Sequence, residues 1–171
     1  SDRVTALAGP EAREELVVEA DWSRFGYLHF ACHGALEQGA EREPALVLGL
    51  FGNKVPYDGF LTLSEVVRKR YNAKLTILSA CQSGLPSKRL GRTGVSSLAR
   101  GFLLSGSQSV IVSLWEVNDY ATMELMASVY TGLLGGDSSP TEALREARRR
   151  LRAVPQYAAP IFWAPFVVVG E

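Results

Sequence analysis

Two short stretches hold most of the capacity of this sequence for nucleophilic chemistry. "LHFACHG", residues 28–34, and "LTILSACQSG", residues 75–84, are apolar runs that close on reactive residue types and a glycine. The chain has two cysteines and two histidines, and all four lie in these stretches: His29, Cys32, His33 and Cys81. A thiol with an ordinary pKa of about 8.5 is mostly protonated at neutral pH, so it attacks only beside a base or a positive charge. An imidazole on a neighbouring strand would meet that need. The competing reading is packing, because free cysteine is among the most buried residue types and behaves as a small hydrophobe. Residue types alone leave both readings open.

The elements around these residues decide whether they can meet. Residues 26–32, 45–51, 74–80, 109–114 and 166–169 are apolar and strand-like. Between them, 10–20 and 95–104 read as helices. Thr62 and Glu65 have the capping-box spacing of a helix start. Asn118 or Asp119 caps a helix through Leu134, and Ser139, Pro140 and Glu142 open another. Apolar strands alternating with helices predict an α/β fold whose parallel sheet is covered on both faces.

In such a sheet, functional side chains gather beyond the carboxyl ends of the strands. His33 follows the strand 26–32 and Cys81 follows the strand 74–80, so adjacent strands would present both at one edge. Gly34 has no side chain to obstruct its N–H, and with the N–H of Cys81 it could form an oxyanion hole. Alternation with period 2 puts Cys32 on the opposite face from His33 and turns His29 away, which assigns both to structural roles.

Composition narrows the function class. A chain of 171 residues with 47% hydrophobic content suits one domain with a proper core. Its 18 basic and 18 acidic residues cancel to a net charge of zero, which gives no footprint for nucleic acid. No run is long and apolar enough for a membrane span, and no secretory h-region opens the chain. A cytoplasmic protein is expected. Two cysteines are too few for a disulfide scaffold or a cysteine-rich zinc site, and no metal or cofactor is expected. No Gly-rich phosphate loop follows the first strand, which argues against a flavodoxin-like nucleotide binder.

"YLHFACHG", "ILSACQSG", "SGSQSVIVSLWEVNDYAT" and "FWAPFVVVGE" occur in that order. Together, from about Leu28 to the C-terminus, they resemble the CHAT domain, a caspase-like peptidase module related to separases and gingipains. The resemblance implies a caspase-like three-layer α/β/α sandwich with a mostly parallel sheet. It implies a catalytic His33–Cys81 dyad, an oxyanion hole from the backbone of Gly34 and Cys81, and no third catalytic side chain. The implied activity is that of a cysteine endopeptidase acting on a protein partner, in the setting of bacterial regulated proteolysis. A sensor or tetratricopeptide-repeat domain is the implied neighbour in the parent protein. CHAT domains usually carry a further portion before the histidine motif, so residues 1–171 are expected to form one peptidase domain lacking that part. The alternative is a dormant caspase-like module that binds partners without cleaving them.

"LWEVNDYAT" follows the strand 109–114. By resemblance to separases, Asp119 with Glu116 forms the floor of an S1 pocket for Arg or Lys, with Trp115 and Val117 on neighbouring walls. A guanidinium meets a carboxylate through two parallel hydrogen bonds, which suits that role. Asp119 also stands where an aspartate caps a helix for structural reasons alone. The loop holding Lys88, Arg89 and Arg92 is either solvated or a site of self-cleavage. The stripe "REARRRLR" at 145–152 is a solvated helix face or a docking surface.

Overall fold

Thr62 ends a strand and begins a helix, and its hydroxyl accounts for the change. The N–H of Glu65 donates to Thr62 Oγ1 at 3.4 Å, and the N–H of Thr62 donates to the Glu65 carboxylate at 2.8 Å. Two donors that a helix start leaves without partners are thereby satisfied. The same reciprocal pair, Ser139 with Glu142, opens a second helix. These details come from a computed structural model that describes residues 4–35, 43–79, 94–136 and 138–170.

The strands are β1 (Tyr27–Phe30), β2 (His33–Ala35), β3 (Ala45–Val47), β4 (Phe60–Thr62), β5 (Leu75–Leu78), β6 (Ser109–Ser113) and β7 (Phe166–Gly170). The helices are α1 (Glu14–Glu19), α2 (Leu63–Arg68), α3 (Gly94–Leu104), α4 (Asp119–Leu134), α5 (Pro140–Arg152) and α6 (Pro160–Trp163). The main sheet runs β1-β5-β6-β7. Its first three strands are parallel, and β7 returns antiparallel along β6. This is the mixed α/β architecture with a mostly parallel sheet that the resemblance implies.

Alternation along the strands sorts the core into two layers. Leu28, Phe30, Leu78, Val110 and Val112 pack to one side with Val66, Leu98 and Phe102 of α2 and α3. Leu75, Ile77, Ile111 and Phe166 pack to the other with Leu125, Val129, Leu144 and Leu151 of α4 and α5. A sheet buried on both faces explains why β5 and β6 are mainly apolar and carry no charged residue, their polar members being Thr76, Ser109 and Ser113. The hydroxyl of Thr76, fully buried within β5, is satisfied by Ser107 Oγ at 2.8 Å.

The second sheet, β2-β3-β4, is small and antiparallel. It departs from the expectation of one strand over 26–32. The chain leaves the main sheet after Phe30, bends through Ala31 and Cys32, and starts β2 at His33. The run expected at 45–51 is likewise shortened to β3. Past Val47 the backbone turns to other partners, with the Leu48 N–H donating to Gly59 O and the Gly49 N–H to Ala12 O, both at 2.8 Å.

Glu14 of α1 secures the entry to β4. Its carboxylate accepts the N–H of Asp58 at 2.8 Å and that of Gly59 at 2.6 Å. Gly59 has φ of +90°, and a Cβ there would stand 2.8 Å from Gly49 O, so a side chain is excluded on both counts. The second sheet, which carries His33, is thus held against α1 by specific bonds.

Candidate active site

The carboxyl ends of β1, β5 and β6 open on one side of the main sheet. Phe30 lies opposite Leu78, and the Ser79 N–H donates to Phe30 O at 3.0 Å, extending the pairing by one residue. A cavity of about 550 Å³ lies at this end. The β1 and β5 ends contribute His29, Ala31, Cys32, His33 and Ser79 to its lining. The β6–α4 junction contributes Val117, Asp119, Thr122, Met123 and Met126. This is the crevice in which open α/β sheets place their functional groups.

His33 is exposed at the start of β2, opposite Val47, and the half-buried Gly34 follows it. Cys81 lies outside the described residues, as do Lys88, Arg89 and Arg92. The described chain reaches the cavity at Ser79, two residues before Cys81 in sequence.

His29 and Cys32 do not point away. Both line the same cavity as His33. Period 2 counted from His33 returns to His29 on the same face, so the departure is Cys32, which the bend at Ala31 and Cys32 brings into the cavity. Burial pushes the Cys32 thiol up to about 12, which leaves it protonated and a poor nucleophile. His29 Nε2 lies 2.8 Å from Ser79 Oγ, and its ring centroid is 5.9 Å from that of Tyr130. Although the ring meets the cavity, desolvation by the surrounding protein holds its pKa below the usual 6.5.

That depression has a sign. Below pH 6.5 the unfolded chain protonates this histidine before the folded protein does, so the unfolded state binds more protons and stability falls with acidification. A thermal melt series should show His29→Phe losing less Tm than the native chain between about pH 6.5 and 5.

At the β6–α4 junction the structure separates two roles that the sequence left merged. Asn118 is the N-cap of α4, its side-chain oxygen accepting the Ala121 N–H at 3.0 Å. Asp119, the first helical residue, is exposed and lines the cavity. The cap therefore does not need its carboxylate. Replacing Asn118 with alanine should cost about 1 kcal/mol of stability by denaturant titration, whereas Asp119→Asn should cost a few tenths at most.

Asp119, Thr122, Met123 and Met126 follow the i, i+3, i+4, i+7 spacing of one helix face. That spacing was present in the sequence, where only the placement of Asp119 pointed to this face. Val117 joins them, while Glu116 and Trp115 do not line the cavity. The Trp115 indole N–H instead reaches Ile161 O of α6 at 3.4 Å. Among the described lining residues Asp119 is the one carboxylate, with Val117, Thr122, Met123 and Met126 lining the cavity from the same junction.

A protein-family model, described as "CHAT domain", matches residues 1–171. The chain belongs to the CHAT domain family. Among curated proteins, this CHAT domain is 32% identical over 111 residues to "Tetratricopeptide repeat protein 28" of Homo sapiens and 31% identical over 111 residues to that of Mus musculus. Those residues make up 65% of this chain and 4% of either relative. The CHAT domain is related to caspase-like peptidases. Among its described residues, no helix is long and apolar enough to cross a membrane, and no group of three or more metal-ligating side chains occurs.

Proposed function

We propose that this chain is a cysteine endopeptidase that cuts a protein partner after Arg or Lys. One observation carries the reading: His33, the histidine of the family motif, and Asp119 line the same cavity at the carboxyl edge of a CHAT-type sheet. A base and an anionic specificity group within one crevice suit a peptide whose basic P1 side chain occupies the pocket while its scissile bond lies near His33.

The chemistry follows from the residue types. Cys81 Sγ attacks the scissile carbonyl carbon, and the displaced charge collects on oxygen, where the N–H groups of Gly34 and Cys81 receive it. The thiol proton passes through the His33 imidazole to the leaving amine as the C–N bond breaks. Water, deprotonated by the same imidazole, then hydrolyses the thioester and restores the thiol. In the pocket, Val117, Met123 and Met126 contact the aliphatic stem of P1, and Asp119 pairs with its cationic head. Glu116 and Trp115 are given no place inside the cavity.

A cytoplasmic setting, where thiols stay reduced, suits a thiol nucleophile, and the relatives' printed name supports tetratricopeptide repeats as neighbours in the parent protein. The test is a panel of fluorogenic peptides differing only at P1. Cleavage of the Arg and Lys members, with Asp and Leu members inert, supports the reading. Turnover confined to Leu or Asp removes the role of Asp119, and no turnover of any member from folded protein favours a dormant binding module.

A further inference from the structure

The bond between His29 and Ser79 is not used by the mechanism above. β1 and β5 are paired through their backbones up to Phe30 and Leu78, with the Ser79 N–H to Phe30 O bond as the last of that series. The side-chain contact at 2.8 Å adds a tie between the same two strand ends on the cavity face. His29 lies opposite Ile77 in the register, so Ser79 is its diagonal neighbour, two residues on and on the same face. The ring of His29, an exposed residue, also lies beside Tyr130 of α4, with centroids 5.9 Å apart. Ser79 is therefore held by a backbone bond and by a ring that also contacts α4.

We propose that His29 and Ser79 form a positioning latch, which fixes the strand end from which the chain continues to Cys81. This rests on the endopeptidase reading. Neither residue takes a chemical step in the mechanism proposed above. Their effect is on where the nucleophile's strand begins its exit relative to His33, and small misplacements of a reacting group cost rate far more than affinity.

The test uses Ser79→Ala, Ser79→Thr, His29→Phe and the Ser79→Ala/His29→Phe double variant of the full chain. Each is inactivated with an arginyl acyloxymethyl ketone, reading kinact and KI separately. The expected result is a drop in kinact of about tenfold for either hydrogen-bond deletion. KI should stay within about twofold, and the double variant should be no slower than the singles, since one bond is lost in all three. Ser79→Thr, which keeps a hydroxyl, should restore the rate. Unchanged kinact, losses that multiply in the double variant, or a threonine variant as slow as alanine would each overturn the latch. Should the native chain take no peptide electrophile, the endopeptidase reading fails on its own. The alkylation rate of Cys81 by iodoacetamide, mapped by mass to separate it from Cys32, then replaces kinact, and the same patterns across the variants support or overturn the latch.

Discussion

Replacing His33 with alanine is expected to lower kcat/KM for an arginyl peptide by about 10²–10⁴-fold, the range that a positioned acid–base group contributes. The loss should fall on kcat, because the imidazole acts when the leaving amine takes its proton. His33 is exposed on β2 and belongs to neither core cluster of the described residues, so Tm should barely change. A parallel loss of Tm and activity would instead mean that the residue supports the small β2-β3-β4 sheet. His29→Phe provides the contrast within the same cavity. It removes an imidazole from the lining while leaving His33 in place, so its effect should be far smaller.

The second large effect concerns the pocket. Asp119→Asn keeps the shape of the side chain and removes its charge. With an arginyl substrate, the variant should lose about 1.5–3 kcal/mol of transition-state binding, or about 10–150-fold in kcat/KM. A substrate with norleucine at P1 should be cleaved no worse than by the native chain. The ratio of the two is the quantity to measure, since a general disturbance of α4 would lower both together. Asn118 makes this variant interpretable, because the cap on α4 does not pass through the carboxylate being neutralised. The exposure of Asp119 argues for the lower part of that range, as solvent screens a charge pair at the mouth of a cavity.

Much of this architecture can be read from local chemistry. The Thr62–Glu65 and Ser139–Glu142 boxes state where two helices begin, and the largely apolar runs of β5 and β6 state that both faces of the sheet are covered. The placement of His33 past the carboxyl end of β1 was legible from the apolar run that precedes it, although its start of a new strand was not. The second sheet was not. Its strands are three residues long, too short for alternation to register, and β2 follows β1 so closely that "YLHFACHG" reads as one extended run. The same bend explains why Cys32 faces the cavity beside His29 and His33, since it breaks the alternation that would turn residue 32 away.

On α4 the reverse occurred. The spacing of Asp119, Thr122, Met123 and Met126 was present in the sequence, but a helix of mixed polarity does not announce which face meets a cavity. Tertiary context supplied it, through the convergence of the α4 start with the ends of β1 and β5. The ambiguity between Asn118 and Asp119 as cap was of a different kind. Both residue types cap well, and only the hydrogen bond to Ala121 distinguishes them.

The central claim is that His33 and Cys81 act together on a peptide held by Asp119. Its most direct test is intact-mass labelling with peptide electrophiles carrying Arg, Lys, Asp or Leu at P1, followed by mapping of the adduct. The expected result is a single adduct on Cys81 from the Arg and Lys probes, lost in His33→Ala and weakened in Asp119→Asn. Labelling of Cys32, labelling indifferent to P1, or a Cys81 adduct that forms as fast without His33 would contradict the account.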